Sequence, residues 1–194
     1  MQGISHFIIE IKDPFKDKIE VGNVELFIDK RIMRERSANR FGVVVNSPAM
    51  GCNDPLPEGT EVLIDPTALY RQLYNSGEQE SIHLVDAKKM YYKVEPDMIV
   101  LYRESAESEW KGYKDNLVVS FIEKEVEQVS GIIITTPKEK FEKGKAIVKY
   151  RNAFLESQGV ENGQEVFINP SCGIAVFFKE ETVYWVRSKD ILAV

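Results

Sequence analysis

The side chains that could perform acid–base, thiol or metal chemistry are few and widely separated in this chain. The histidines are His6 and His83, and the cysteines are Cys52 and Cys172. In "HLVD", His83 stands three residues before Asp86, which places the two on opposite faces of a strand. Neither cysteine has a second Cys or a His at the spacing of a zinc site. These residue types therefore predict neither an acid–base pair nor a metal site.

Other chemical motifs are also missing from the sequence. It contains no P-loop, dinucleotide fingerprint or Ser-nucleophile elbow. We therefore expect no catalytic residue and no cofactor. With only two cysteines, a disulfide scaffold is not expected, which is typical of a reducing compartment.

An apolar run is the sequence feature best suited to binding. The segment "EVEQVSGIIITTPKEKFEKG", Glu125 to Gly144, holds three consecutive isoleucines between charged residues, glycines and a proline. A buried strand would continue into regular structure rather than into such polar flanks. Connections longer than about 12 to 15 residues inside compact domains are usually functional or disordered. The segment predicts a long mobile loop with an exposed apolar tip.

Composition limits the partners that such a tip could bind. The chain has 194 residues, 43% of them hydrophobic, so it can bury a core. A net charge of −6 argues against general affinity for nucleic acid or an anionic membrane. No apolar run approaches the roughly 20 residues that span a bilayer, and Met1 to Glu10 does not resemble a signal peptide. We expect a cytoplasmic protein.

The sequence repeats itself at a nearly constant offset. "GTEVLIDP" from Gly59 resembles "GQEVFINP" from Gly163, and a Gly-led strand precedes each, "GVVVNSP" and "GKAIVKY". Each half opens with a β-rich run, "HFIIEI" and "NLVVSFI", and closes with "DMIVLY" or "DILAV". Four matched elements in one order favour one design used twice over chance similarity of β-rich segments.

Strand-forming residues dominate both repeats. Short Val- and Ile-rich runs alternate with Gly, Pro and Asn breaks, a pattern typical of small closed barrels. A short helical turn is predicted in Pro66 to Asn75, and a linker in Arg103 to Asp115. Adjacent Tyr184 and Trp185 are expected to pack between subunits. The prediction is an all-β protein of two tandem barrels, residues 1–106 and 107–194.

The second repeat resembles the small co-chaperonins of the GroES family. The likeness rests on "EVEQVSGIIITTPKEKFEKGKAIV", on "NGQEVFINP" and, most specifically, on the closing "ETVYWVRSKDILAV". It implies two GroES-like barrels, of which the first is divergent. It also implies a loop tip that binds a large GroEL-type chaperonin through Gly131, Ile132, Ile133 and Ile134.

The first repeat fits this family less closely. Its corresponding loop tip, "GNVELFI", alternates polar and apolar residues because Glu25 interrupts it. The matching candidates are Val24, Leu26 and Phe27, and whether this loop also grips a chaperonin is left open. Tandem members occur in chloroplasts, but the N-terminus lacks transit-peptide composition, so a bacterial or phage origin is expected.

The resemblance implies that the large chaperonin hydrolyses ATP while this protein caps the chamber that encloses a client protein. Burying three isoleucines contributes about 5 to 9 kcal/mol, which the cost of ordering the tip, about 1 to 2 kcal/mol per residue, largely offsets. Loops held on one ring gain avidity. A homo-oligomeric ring is therefore expected, with the number of chains left open.

Two other functions remain open at this point. A structural or virion-assembly protein could keep the barrel fold without binding a chaperonin. A nucleic-acid-binding barrel could use the basic cluster Lys30, Arg31, Arg34, Arg36 and Arg40, although that cluster lacks interleaved stacking aromatics.

Overall fold

The chain divides into two compact units. The computed structural model describes residues 3–14, 18–21, 24–27, 38–69, 73–74, 77–78, 81–123, 128–129, 132–133, 141–179 and 181–194. Contacts separate unit 1, Met1–Trp110, from unit 2, Lys111–Val194. This division lies a few residues after the predicted boundary between residues 106 and 107.

Unit 1 is built on an antiparallel sheet with short 3-10 turns. Its strands are β1 (Phe7–Glu10), β2 (Lys18–Val21), β3 (Val24–Phe27), β4 (Phe41–Asn46), β5 (Glu61–Ile64), β6 (Leu73–Tyr74), β7 (Gly77–Glu78), β8 (Leu84–Asp86), β9 (Tyr91–Val94) and β10 (Ile99–Arg103). The 3-10 turns are Pro66–Leu69 and Pro96–Met98. Six strands of unit 1 follow one another along the sheet in the order β10-β5-β4-β1-β9-β8.

Unit 2 has the same kind of sheet and one short helix, α1 (Ala153–Ser157). Its strands are β11 (Lys111–Gly112), β12 (Asn116–Glu123), β13 (Gln128–Val129), β14 (Ile132–Ile133), β15 (Phe141–Tyr150), β16 (Glu165–Ile168), β17 (Ile174–Phe178), β18 (Glu181–Arg187) and β19 (Ile191–Ala193). The sheet order is β19-β16-β15-β12-β18-β17. A 3-10 turn, Ser188–Asp190, precedes β19.

The two sheets share one topology. Reading each order from its last strand in sequence, β10 corresponds to β19, β5 to β16, β4 to β15, β1 to β12, β9 to β18 and β8 to β17. Even the 3-10 turn before the last strand recurs, at Pro96–Met98 and Ser188–Asp190. All four repeated sequence elements form strands at equivalent positions. The predicted all-β fold with two tandem barrel-like domains is confirmed.

Each unit buries its own apolar core, and in unit 1 the strands β1, β5 and β10 each bury three consecutive residues. In unit 1 the buried set includes Phe7, Ile9, Val62, Ile64, Val94 and Leu101. In unit 2 one cluster joins Leu117, Val119, Ala146, Val148, Leu155, Val160, Val166, Ile168 and Val186. Among the described residues, no helix is long and apolar enough to cross a membrane.

Two local expectations were wrong. The predicted linker contains Trp110 and Tyr113, which are buried at 3% and 1% exposure. Trp185 packs inside unit 2 instead of between subunits, and its indole Nε1 donates to Asn116 Oδ1 at 3.0 Å. The short helical turn predicted in Pro66 to Asn75 is confirmed as the 3-10 turn Pro66–Leu69, and the strand residues Leu73 and Tyr74 follow it.

Asn152 fixes the segment between β15 and β16. Its side chain is 1% exposed and accepts the amide of Leu155 at 3.0 Å, which caps the N-terminus of α1. The amide Nδ2 donates to Lys114 O and to Ser188 Oγ, each at 2.7 Å. One side chain therefore ties α1 to the start and the end of unit 2.

We expect Asn152→Ala to lower the free energy of unfolding by about 2 to 4 kcal/mol, because it removes a cap and two buried hydrogen bonds together. The exposed Asn162 provides the matched control, since it makes one described hydrogen bond, accepting from Arg151 N at 2.9 Å. Asn162→Ala should cost less than about 1 kcal/mol. Urea unfolding followed by circular dichroism measures both, and equal losses would contradict the role given to Asn152.

Candidate partner-binding arms

Each unit carries a separate two-stranded hairpin at the same point of its topology. The β2–β3 hairpin lies between β1 and β4, and the β13–β14 hairpin lies between the equivalent β12 and β15. Neither hairpin belongs to the main sheet of its unit. We call residues 15–37 the first arm and residues 124–140 the second arm.

The second arm contains the predicted isoleucine tip. Val129 lies opposite Ile132 and Gln128 opposite Ile133, which leaves two residues between the strands. Ile132 and Ile133 thus form β14 in a hairpin outside the sheet. The other two predicted tip residues, Gly131 and Ile134, lie outside the described residues.

The first arm has the same register around its tip. Val21 lies opposite Val24, again with two residues between the strands, so Val24 corresponds to Ile132. Counting on from this position, Glu25 corresponds to Ile133 and Leu26 to Ile134. Phe27, predicted as part of the tip, lies one position beyond this tripeptide and opposite Lys18.

The ladder of the first arm alternates between apolar and charged pairs. Ile19 lies opposite Leu26, and Glu20 lies opposite Glu25. Like charges directly opposite each other are unfavourable in an antiparallel ladder. The first arm therefore differs in chemistry from the second at one register position, where the second has Gln128 and Ile133.

Three aromatic rings pack together where the second arm joins the sheet. Phe121 lies near the end of β12, Phe141 begins β15, and Tyr184 lies on β18. Ring centroids are 4.4 Å apart for Phe121 and Tyr184, 5.7 Å for Phe121 and Phe141, and 5.8 Å for Phe141 and Tyr184. All three side chains are half-buried. We call these three residues the root cluster.

The backbone beside the root cluster is irregular. The ladder of β12 and β15 passes from Phe121 opposite Ala146 to Glu123 opposite Phe141, which is a bulge on β15. Within it, Gly144 has φ +74°, a left-handed conformation that favours glycine. The ammonium of Lys145 lies 2.9 Å from a carboxylate oxygen of Glu165, and this partner raises the pKa of Lys145. The ladder is therefore interrupted near the start of β15.

Sequence reasoning missed the root cluster. The available signal was a phenylalanine just outside each end of the second arm, in "SFIE" and "KFEK". The second of these, Phe141, falls within the predicted loop Glu125 to Gly144, but it begins β15. The third member, Tyr184, is distant in sequence and was instead assigned to subunit packing.

The residues considered for metal or acid–base chemistry build no metal site in the described part of the chain. There, no group of three or more His, Cys, Asp or Glu side chains could hold a metal ion. Burial raises the pKa of the Cys172 thiol, which packs against the core of unit 2. A raised pKa keeps a thiol protonated and poorly reactive.

The basic cluster falls mostly outside the described residues. Of its members only Arg40 is described, and its Nε donates to the carbonyl oxygen of Ile64 at 2.9 Å. This residue therefore helps to hold the chain entering β4 against β5.

Comparison with known proteins matches unit 2 to one family. Residues 109–194 match the family model described as Chaperonin 10 Kd subunit. The matched range contains the second arm and the whole main sheet of unit 2. No curated protein matches the chain.

His83 gives unit 1 a predicted pH dependence. Within the described part of the chain its ring Nδ1 is buried without a hydrogen-bond partner. Burial, followed by the charge of Lys93, lowers the pKa of His83 from its ordinary value of 6.5. The unfolded chain then binds more protons than the folded one as the pH falls below about 6.5, so stability decreases there.

We expect His83→Asn to lose less stability than the wild type between pH 7.5 and pH 5.5, as measured by thermal unfolding. Above pH 7.5 His83 is neutral in both the folded and the unfolded chain. Unfolding temperatures of the wild type and the variant should therefore change with pH in the same way there. An equally steep acid loss in the variant would show that burial of His83 does not cause it.

Proposed function

We propose that this chain is a co-chaperonin that caps a large GroEL-type chaperonin through its second arm, because residues 109–194 match the family model described as Chaperonin 10 Kd subunit. The observation that carries the proposal is the hairpin of Ile132 and Ile133, which stands apart from the main sheet of the matched unit. The chain contributes binding rather than catalysis, and ATP hydrolysis belongs to the large partner.

The chemistry of the tip supports this role. Each buried isoleucine side chain contributes roughly 1.5 to 3 kcal/mol, so a short apolar tip binds an apolar groove appreciably. Ordering a mobile loop costs about 1 to 2 kcal/mol per residue. A tip that already pairs, as Val129 does with Ile132, has less left to order when it binds.

A single arm still binds weakly. Weak binding by each arm allows the cap to be released. Several arms held on one ring convert later contacts into intramolecular ones, which raises the overall affinity by about 10²- to 10⁴-fold. A partner whose nucleotide state exposes or hides its grooves then needs only a modest differential affinity to bind or release the ring. We therefore propose a homo-oligomeric ring that closes a chamber around a client protein.

The first arm is proposed as the weaker of the two. Val24 occupies the register position of Ile132, but Glu25 occupies that of the central isoleucine, Ile133. Leu26 follows Glu25 in sequence as Ile134 follows Ile133. Burying a carboxylate in an apolar groove without a partner is costly. In a ring of tandem chains, second arms would then supply most of the affinity.

The test is binding of the full-length protein to a GroEL-type chaperonin in the presence of ADP, compared with Ile133→Asp. We expect the wild type to co-sediment with the chaperonin and the variant to lose at least about tenfold in affinity, because a charge replaces a buried apolar group in every second arm. Sedimentation velocity on the free protein checks for the ring.

Ile174→Asp is the matched control, since Ile174 is 58% exposed on β17 of the same unit. It should bind as the wild type does. Absence of wild-type binding would overturn the proposed function, whereas equal binding by Ile133→Asp would overturn only the assigned site.

A further inference from the structure

The root cluster joins two ends of the second arm that the sheet alone holds only loosely. The last register pair before the arm is Glu123 opposite Phe141, and the bulge on β15 separates it from the regular ladder. Since bulges disrupt the hydrogen-bonded ladder locally, backbone pairing alone leaves this end of the hairpin poorly fixed.

Side-chain packing supplies the missing constraint. Phe121 and Tyr184 both pack against the buried core of unit 2, so their rings have fixed positions. Phe141 reaches that core through them, meeting Tyr184 edge-on at an interplanar angle of 80°. The ring of Phe141 thereby ties the returning end of the arm to two strands of the sheet, β12 and β18.

The chain before β17 lies beside the cluster. Gly173 has φ +101°, and a Cβ at this position would be in ordinary van der Waals contact, 3.4 Å from Tyr184 Cβ and 3.6 Å from Phe121 Cε2. The root cluster therefore lies between the core and the chain entering β17.

We infer that Phe121, Phe141 and Tyr184 are positioning residues that set the direction of the second arm and thereby its affinity for the partner. The inference rests on the proposed function, since the partner is the one proposed there. Its physical basis is preorganisation: an arm with a fixed direction loses less freedom on binding, and a ring gains avidity only if its arms reach their grooves together.

Arm direction can be measured without any partner. Spin labels at Gln128→Cys, in the arm, and Ser157→Cys, at the end of α1, report the distance between arm and sheet. The native cysteines are removed by Cys52→Ser and Cys172→Ala, so that only the two introduced cysteines carry a label. The labelled chain is mixed with an excess of unlabelled chain, so that distances within one chain are measured. We expect Phe141→Leu and Phe121→Leu to broaden the distribution of distances, and Phe141→Tyr to keep the wild-type distribution.

Tyr150→Leu is the matched control. Tyr150 lies at the opposite end of β15, is also half-buried, and makes a similar edge-on contact with Phe178 at 5.4 Å. Its loss should reduce thermal stability by about as much as Phe141→Leu but leave the distance distribution unchanged.

Chaperonin affinity provides the second measurement on the same variants. Loss of an aromatic contact at the root should weaken binding by about two- to tenfold per arm. Phe141→Tyr should restore the affinity, and Tyr150→Leu should bind as the wild type does. This pattern separates positioning from a general loss of stability.

Three results would overturn the inference: an unchanged distance distribution in Phe141→Leu, an unchanged affinity despite a broadened distribution, or equal losses of affinity in Phe141→Leu and Tyr150→Leu. Failure of the wild type to bind the chaperonin would overturn the proposed function instead, and the distance measurement would still show whether the root cluster directs the arm.

Discussion

The antiparallel ladder between β12 and β15 is the interaction on which the candidate site depends. These strands are neighbours at the centre of the unit 2 sheet, and the chain between them must leave that sheet and return to it. The strands on either side of the second arm are therefore neighbours in the sheet, whereas the described strands of the arm, β13 and β14, pair only with each other. The same constraint acts on the first arm through β1 and β4.

Among the described residues, the buried core of unit 2 lies on the strands of the main sheet, on α1 and at Val160. The root cluster lies beside this core, because Phe121 and Tyr184 pack against it and Phe141 begins the strand that follows the arm.

The two arms show how one topology can carry two different sequences at equivalent positions. The described strands of the two arms share the register and the number of residues between them, so backbone pairing does not distinguish them. The difference lies in residue type, with Glu25 at the position of Ile133. A duplicated domain can in this way keep its fold while one hairpin changes its side chains, because neither hairpin belongs to a main sheet.

Sequence alone determined the strands, their repetition and the candidate tip. Period, β-branched residues and Gly breaks are local properties, and four repeated segments were enough to place equivalent strands in both units. Only the tertiary structure decided that Val24 and Ile132 are equivalent in the registers of their hairpins. It also decided the packing of Phe121, Phe141 and Tyr184. Register depends on which strand is the partner, and the root cluster joins residues from three strands, one of them far away in the chain. Trp185 shows the same limit, since a pair of adjacent aromatics does not reveal that Asn116, on the neighbouring strand, accepts the indole hydrogen bond.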